Sequence, residues 1–490
     1  MGGDARPMLK LQGFLSQYRS IATGLKSRLS KLPFWKKSEK FGLSQNPFRK
    51  SLDVSWKEGI AASIMQAAAD EYLIPLGLFL GATPMDIGFL VAVPHLLGSL
   101  AQFFSVKAVN LCGSRLRFLV RASFFQALFL LPLAIFPFFF FPSRILALIF
   151  FVALLRILAN LIATVWGGLT SDYLAPEERG QYFGWRSRIT GLAGMITVIL
   201  GGILLNAFKP FSAAAGFCIL FGVTASARFI SSGLMARMQD VPEQKNPDDM
   251  FTFFMFLRRF KESNFVKFVF YVASITFATT LAAPYFSVYM LRDLHFSYLT
   301  YMLVHMGAMV ASLVSFPIWG KHADKIGNAK VLKATSLLIP LIPLLWLFSS
   351  NLVYLFMIEV FAGFVWGGFN LCSLNFIYDA VSPGKRMRCL GYFGFLNGVA
   401  TFVGAGLGGY LAERLPMLNG SRILTLFVIS AILRFLSHFL LSRHFHEVRP
   451  ATQKISSVEL LFSVVGIRPF LEKGRNWSLL SFLKQFPWRD

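Results

Sequence analysis

The sequence predicts an all-α, polytopic membrane protein with about twelve transmembrane helices in two pseudo-symmetric six-helix bundles. Three observations predict this fold. Of the 490 residues, 55% are hydrophobic and only 15% are charged, whereas about 25% of the residues in soluble domains are charged. The apolar residues form long runs, and about 20 apolar residues in a helix cross the hydrocarbon core of a bilayer. Finally, one loop and the helix after it recur in both halves of the chain.

The apolar runs give twelve predicted spans, six in each half. Each span must be helical, because backbone polar groups without partners cannot face lipid. The spans cover residues 57–81, 85–107, 117–138, 144–168, 182–207 and 211–236 in the first half, and residues 266–291, 298–319, 330–349, 351–377, 389–411 and 422–442 in the second.

These spans divide the chain into five segments. A basic tail at residues 1–55 precedes an N-terminal bundle at residues 56–238. A linker at residues 239–265 leads to a C-terminal bundle at residues 266–443, and a second tail covers residues 444–490.

The distribution of Lys and Arg predicts the orientation. The net charge is +24, and most basic residues lie in the tails and the even-numbered loops. Basic residues favour the cytoplasmic side, so we expect a cell inner-membrane protein with both termini in the cytoplasm. The basic residues form no soluble basic face and no nucleic-acid motif accompanies them, so a nucleic-acid partner is not expected.

The N-terminal tail has its own pattern. Within residues 8–32, apolar residues recur at helical spacing opposite a face of Lys, Arg and Ser. This pattern predicts an amphipathic helix on anionic lipids. The alternative is a basic tail that only helps to set the topology. Residues 251–260 of the linker are a second candidate for contact with the membrane surface.

The internal repeat is the most informative feature of the sequence. Residues 172–202 align with residues 379–409 without a gap, and each segment is a loop that leads into the fifth span of its half. Its glycines predict close approach of helix backbones. The aligned pairs are Asp172 with Asp379, Pro176 with Pro383, Arg179 with Arg386, Gly184 with Gly391, Gly191 with Gly398, and Gly201 and Gly202 with Gly408 and Gly409. Such duplicated bundles are an architecture of transporters.

A second motif supports a family resemblance. Residues 320–330, GKHADKIGNAK, contain a Gly-x-x-x-Asp-x-x-Gly pattern between the eighth and ninth spans, and a degraded copy at residues 106–117 keeps Gly113 but has Asn110 in place of Asp. With these motifs, roughly residues 55–445 resemble the major facilitator superfamily. The Arg-Gly-x-Tyr-Phe-Gly run of the first repeat is similar to poorly characterised bacterial members. The resemblance implies a secondary active transporter that moves a small-molecule substrate by alternating access.

Four ionisable residues inside predicted spans are candidates for the transport site. A charge at the bilayer centre costs about 3 kcal/mol or more, and Asp70, Glu71, Arg156 and Glu359 occupy such positions. The resemblance implies that the first, fourth, seventh and tenth helices line a central cavity. We expect Arg156 to pair with Asp70 or Glu71, with Glu359 facing it across the cavity. A carboxylate there could exchange protons or bind a cationic substrate, and the alternative is a structural ion pair.

Weaker candidates extend this predicted cavity. Asn160 lies one helical turn from Arg156, and Trp366 and Asn370 give the tenth span a polar side. Isolated polar residues in membrane helices more often form interhelical hydrogen bonds. The remaining candidates of this kind are His95, Gln102, Tyr271, Thr279, Tyr285, His305 and Asn375.

Charged residues of the repeated loops are candidates for a cytoplasmic gate. Alternating access needs contacts that hold in one state and break in the other. The alternative is that these residues only set the topology. The predicted gate consists of Asp172, Arg179, Asp324, Asp379 and Arg386.

The leading hypothesis from these features is a proton-coupled secondary transporter. A P-loop, a metal-binding cluster and a catalytic motif are all missing from the sequence, so we expect neither an enzyme nor a cofactor. Residues 404–409 match G-x-G-x-x-G, but they lie inside a span, where helix packing explains them better. The alternative hypothesis is a membrane sensor or assembly factor that keeps the fold, docks partners through its tails and transports nothing.

Overall fold

The computed structural model describes residues 47–139, 143–174, 176–241, 253–259, 262–381 and 383–448, with the backbone alone for residues 176–181 and 383–387. The predicted amphipathic helix at residues 8–32, about half of the linker and nearly all of the C-terminal tail lie outside these residues.

The described residues form the predicted helical bundles and contain no strand. Eleven of the described helices are long and apolar enough to cross a membrane, and α1 is the twelfth of the bundle. The fold class is therefore confirmed. The helices are α1 (Arg49–Phe79), α2 (Pro84–Ala101), α3 (Arg115–Ile135), α4 (Arg144–Asp172), α5 (Pro176–Phe208), α6 (Ala213–Met235), α7 (Asn264–Thr280), α8 (Tyr298–Ile326), α9 (Asn328–Leu338), α10 (Leu352–Ala380), α11 (Pro383–Arg414) and α12 (Arg422–Leu441).

Several helices start or continue beyond the predicted spans. The helix α1 begins at Arg49, before the predicted span at residues 57–81, because hydropathy does not detect its polar first turns. The helix α9 stops before Pro340 and resumes as Leu341–Leu345, since proline lacks the N–H that continues a helix. Beyond its end, α7 resumes as Ala283–Val288, and Pro284 lies in the first turn of the new segment. Hydropathy alone does not detect such breaks.

Side-chain caps fix where several of the membrane helices begin. Thr83 and Asp86 form a reciprocal capping box at the start of α2, which satisfies two backbone donors that the first turn leaves free. Asn351 accepts from the N–H groups of Val353 and Tyr354 at the start of α10. Single serine caps precede α3, α6, α8 and α12.

The two bundles meet closely at one end of the molecule. We call the end where α1 begins and α12 ends the tail face, and the opposite end the far face. Near the far face, a Cβ atom on Gly202 of α5 would lie 2.9 Å from Cβ of Met302 in α8. A second contact between the bundles lies near the start of α2, where a Cβ atom on Gly88 would lie 2.7 Å from the carbonyl oxygen of Ala405 in α11. The far face is therefore closed.

Toward the tail face, three of the repeated glycines have no close neighbour. The positions of Gly184 and Gly191 in α5, and of Gly391 in α11, have no atom within 4 Å of an added Cβ. The expectation that all the repeated glycines allow close packing is wrong for these three. Contact at this face continues between α2 and α11, where the rings of Phe103 and Phe395 are 5.1 Å apart.

Part of the linker packs on the C-terminal bundle, and its predicted contact with the membrane surface stays a prediction. A short helix, Phe253–Arg258, follows the undescribed part of the linker. Phe256 is buried, with its ring 5.4 Å from that of Tyr392 in α11 and 6.0 Å from that of Phe265 in α7. This helix therefore packs against the C-terminal bundle.

The G-x-G-x-x-G run of α11 serves helix packing, as the sequence analysis expects. A Cβ atom on Gly404 would lie 2.6 Å from the carbonyl oxygen of Phe277 in α7, and one on Gly408 would collide with the carbonyl oxygen of Leu281. Side chains at these positions would separate α7 from α11.

Candidate functional site

The structure pairs Arg156 with Asp70, one of the two carboxylates that the sequence leaves open. Nη2 of Arg156 on α4 donates to Oδ1 of Asp70 on α1 over 3.0 Å. Gly98 of α2 permits this arrangement, because a Cβ atom there would lie 2.7 Å from Nδ2 of Asn160 and 2.8 Å from Cγ of Arg156. His95, one turn away on α2, interacts electrostatically with both members of the pair.

A cavity of about 330 Å³ opens beside this pair. Asp70, Arg156 and Asn160 line it, as predicted. At about 30 Å³ per water molecule, it has room for roughly ten waters or a small organic solute. Its lining comes from α1, α3, α4, α5 and α6, all in the N-terminal bundle.

The deep wall of the cavity carries a charge network that the sequence analysis missed. Glu58 of α1 is buried, and its Oε2 accepts from Nη2 of Arg186 on α5 over 3.1 Å. Its Oε1 accepts from Oγ of Ser231 on α6 over 2.9 Å and lies 3.9 Å from Nη1 of Arg228. Nη1 of Arg228 also donates to Oγ of Ser231 over 2.9 Å. One carboxylate thus holds two guanidinium groups.

Neighbouring side chains fix the orientation of Arg186. Its guanidinium lies over the ring of Trp166, 4.0 Å from the centroid, a favourable cation–π geometry. Its Nε donates to the carbonyl oxygen of Ser55 over 3.3 Å. Gly59 leaves the space that this guanidinium occupies, since a Cβ atom there would lie 2.5 Å from Nη2 of Arg186.

Arg186 and Arg228 are not among the predicted site residues, although both lie inside predicted spans. The structure places both inside membrane helices, with their guanidinium groups beside Glu58. A repeated pattern could have identified Arg228. Arg-Phe-x-Ser occurs at residues 228–231 of α6 and again at residues 434–437 of α12, the corresponding helix of the other bundle. Arg434 is also buried.

Glu71 and Glu359 form a separate cluster between the bundles, away from the cavity. Oε1 of Glu71 on α1 lies 3.9 Å from Nδ1 of His305 on α8. Glu359 of α10 is buried and interacts electrostatically with both. Tyr301 packs on His305, with ring centroids 4.7 Å apart, and donates to the carbonyl oxygen of Glu71 over 3.4 Å. The expectation that Glu359 faces Arg156 across one cavity is therefore wrong.

The other predicted cavity residues of α10 also lie apart from the cavity. Trp366 is half-buried, with its ring 5.5 Å from that of Phe369. Asn370 is exposed. Neither residue is among those that line the cavity, so the seven predicted residues divide into a pocket within one bundle, a cluster between the bundles and the outer part of α10.

Two of the predicted gate residues, Asp172 and Asp379, contact partners within their own bundles. Nη2 of Arg115, the first residue of α3, donates to Oδ2 of Asp172 at the end of α4 over 2.7 Å. Nδ2 of Asn328, the first residue of α9, donates to Oδ2 of Asp379 near the end of α10 over 2.9 Å. These two contacts correspond in the two halves, and each ties two helix ends together. Asp324 is exposed at the end of α8.

The side chains of Arg179 and Arg386 lie outside the described residues, so their predicted gating role stays a prediction. Within the described residues, His, Cys, Asp and Glu form no group of three that could hold a metal ion.

The profile of one known family matches most of the chain. The profile of the Major Facilitator Superfamily matches residues 58–275 and, in a second repeat, residues 268–487. A comparison with curated protein sequences finds no match.

Solved structures share the fold at low sequence identity. The nucleoside transporter NupG (D323A mutant) is 14% identical, with a TM-score of 0.63 over 80% of this chain and 100% of that one. A bacterial homologue of the human lysosomal transporter Spinster, inward-facing and unoccupied, is 13% identical, with a TM-score of 0.57 over 82% and 98%. An autoinhibited POT family peptide transporter is 9% identical, with a TM-score of 0.62 over 83% and 99%.

Proposed function

The chain belongs to the Major Facilitator Superfamily, and from this premise we propose that it is a proton-coupled secondary transporter of a small solute in the cell inner membrane. It works by alternating access, with both termini in the cytoplasm. The cavity beside Arg156 and Asp70 holds the solute, and the cluster of Glu71, His305 and Glu359 couples its movement to protons.

The asymmetry of the bundle supports alternating access. The bundles touch at Gly202 and Met302 near the far face, whereas Gly184 and Gly191 of α5 face open space toward the tail face. At the tail face the bundles still touch at Phe103 and Phe395, so the asymmetry concerns the side of the interface that α5 forms. A transporter must also reach a state in which the far face opens.

The observation that carries the proton-coupling proposal is the position of the acidic cluster. Glu71 belongs to the N-terminal bundle, whereas His305 and Glu359 belong to the C-terminal bundle. Opening of the far face must therefore separate Glu71 from His305. Protonation of a carboxylate removes its negative charge, so a proton taken up here would change the contact between α1 and α8.

Two of the structural neighbours support a small, polar substrate. NupG transports nucleosides, and the POT family member transports peptides. A cavity of about 330 Å³ lined by Asp70, Arg156 and Asn160 is suited to a solute with several polar groups. None of the described features favours the non-transporting sensor.

The test is proton movement driven by solute in proteoliposomes that contain a pH-sensitive dye. The panel covers nucleosides, dipeptides, monosaccharides, organic acids and quaternary amines. We expect one solute class to drive proton movement, and Glu359→Gln to abolish it while that solute still raises the melting temperature of the variant. Glu262→Gln, at an exposed position before α7, is the matched control and should behave like the wild type.

Two results would count against this proposal. One is uptake of a radiolabelled solute by the wild type without proton movement. The other is normal proton movement in Glu71→Gln and Glu359→Gln alike.

A further inference from the structure

Resting on the proposed function, we propose that the cavity of the N-terminal bundle selects solutes that carry an anionic group, a carboxylate or a phosphate, bound by Arg228 and Trp166. The expectation from the sequence is a cationic or polar solute, because Arg186 and Arg228 are not among the predicted site residues.

The charges of the cavity lining give the first argument. Two carboxylates, Glu58 and Asp70, face three guanidinium groups, Arg156, Arg186 and Arg228. Asp70 pairs with Arg156, so Glu58 is the carboxylate of this lining that balances both Arg186 and Arg228. The described lining therefore carries one positive charge in excess. A charge in a low-dielectric interior is costly without a counter-charge, so an anion in the cavity is stabilised and a cation is disfavoured.

Hydrogen-bonding groups without partners give the second argument. Nε of Arg228 and Nε1 of Trp166 are buried donors, and Oε1 of Gln126 is a buried acceptor, and each lacks a hydrogen-bond partner among the described residues. Arg228 and Gln126 are 3% and 2% exposed, and all three residues line the cavity. Buried polar groups are nearly always satisfied. Two donors suit the oxygens of a carboxylate or phosphate, and the Gln126 oxygen suits a hydroxyl or N–H group on the same solute.

Arg434, which occupies the position corresponding to Arg228 in α12, shows that burial alone does not leave an arginine donor without a partner. In α12, Nε of Arg434 donates to Oγ of Ser430 over 3.1 Å, and its Nη1 donates to the carbonyl oxygen of Ile339 over 3.2 Å. Arg434 thus has a protein partner for the very atom, Nε, that Arg228 leaves free. Arg228 lines a cavity, and this difference points to a ligand at Arg228.

The apolar part of the lining limits the class further. Leu130, Val152, Leu155 and Ile162 are apolar residues of the lining. A free inorganic ion would leave these side chains in contact with water. The lining therefore fits an organic anion with an apolar or aromatic body.

The experiment measures binding to the purified full chain in detergent, in Tris-chloride at neutral pH, by melting temperature and by isothermal titration. The probes are benzoate and phenyl phosphate, with benzamide, benzyl alcohol and benzylamine as neutral and cationic matches. We expect at least one anion to raise the melting temperature and the neutral and cationic matches to have no effect. The anion that binds better distinguishes a carboxylate from a phosphate substrate.

Three variants locate the site. Arg228→Gln should weaken binding of the anion by about tenfold or more, as expected for a lost charge-assisted hydrogen bond. Trp166→Phe keeps an aromatic ring under Arg186 and removes the N–H donor together with part of the indole, so it tests the site even if Arg228→Gln does not fold. Arg434→Gln changes the corresponding buried arginine of α12, which does not line the cavity, and should leave the affinity for the anion unchanged.

The outcomes separate this proposal from the transport function. Equal binding of benzoate and benzamide, preferred binding of benzylamine, no binding of either anion, or unchanged affinity in both Arg228→Gln and Trp166→Phe would each overturn it. Binding in detergent involves neither transport nor a proton gradient, so failure of proton coupling does not affect it. Conversely, proton movement driven by a neutral solute would preserve the transport function and contradict anion selectivity.

Discussion

At the scale of single residues, Glu58 has the largest electrostatic role that the structure reveals. It is 1% exposed, and its two oxygens face Arg186 and Arg228. Removing one partner of a buried ion pair leaves an uncompensated charge in the interior. Asp70 also pairs with an arginine, but its side chain is 46% exposed, so water screens that interaction.

This difference predicts unequal effects of two isosteric substitutions. Glu58→Gln should lower the free energy of unfolding by about 3–5 kcal/mol, because two buried guanidinium groups lose their counter-charge. Asp70→Asn should lower it by about 1 kcal/mol or less. Unfolding of both variants in detergent, followed by intrinsic tryptophan fluorescence, measures the two losses. Equal losses would show that Glu58 is not the electrostatic centre of the bundle.

The sequence predicts some of these residues and misses others for a physical reason. Asp70 and Arg156 stand out because they interrupt the middle of long apolar runs. Glu58, Arg186 and Arg228 lie closer to the ends of spans. Charges there normally face water, and basic ones help to set the orientation in the membrane. Only the packing of α1, α5 and α6 shows that these three point inward.

At the scale of elements, α8 and α10 form the most tightly packed helix pair of the C-terminal bundle. A Cβ atom on Gly363 of α10 would overlap the carbonyl oxygen of Ala308 in α8, and one on Gly368 would lie 2.7 Å from the ring of Trp319. Small residues permit such close approach of helices in lipid. This contact also positions Glu359 of α10 beside His305 of α8.

Adding one methyl group tests this packing. Gly363→Ala should destabilise the protein by roughly 1–3 kcal/mol or more, because the obstructing atom belongs to the backbone and α8 must shift. Gly406→Ala in α11 is the control, since its position has no neighbour within 4 Å, and we expect no loss or a gain of up to about 1 kcal/mol. Melting temperatures of both variants in detergent give the comparison. A Gly363→Ala variant as stable as the control would contradict the packing described.

Hydropathy is sufficient to predict which segments form helices, because each must satisfy its backbone groups within lipid. It does not predict which faces meet. The repeated glycines illustrate this limit: Gly202 packs against the other bundle, whereas Gly191 of the same helix faces open space.

At the scale of the whole molecule, the two halves share a scaffold and differ at the functional groups. Gly113 and Gly327 both adopt positive φ angles, 68° and 93°, where each half turns from its second helix into its third. The contacts of Asp172 and Asp379 also correspond. In contrast, the cavity and its ion pairs occur in the N-terminal bundle. The duplication therefore explains the scaffold, and the cavity proposed as the solute site is a feature of one half.

The central claim, that the far face must open during transport, is tested by locking it shut. In a background with Cys112, Cys218, Cys372 and Cys389 replaced by serine, Gly202→Cys and Met302→Cys are combined. A Cβ atom on Gly202 would lie 2.9 Å from that of Met302, and a small shift reaches the 3.5–4.5 Å that a disulfide requires.

The measurement is uptake, by proteoliposomes of this double variant, of the solute that drives proton movement, with cross-linking verified by mass spectrometry of proteolytic fragments. We predict that oxidation stops uptake, that reduction restores it, and that each single cysteine variant transports under both conditions. Continued uptake by protein that is fully cross-linked would contradict alternating access between these two bundles.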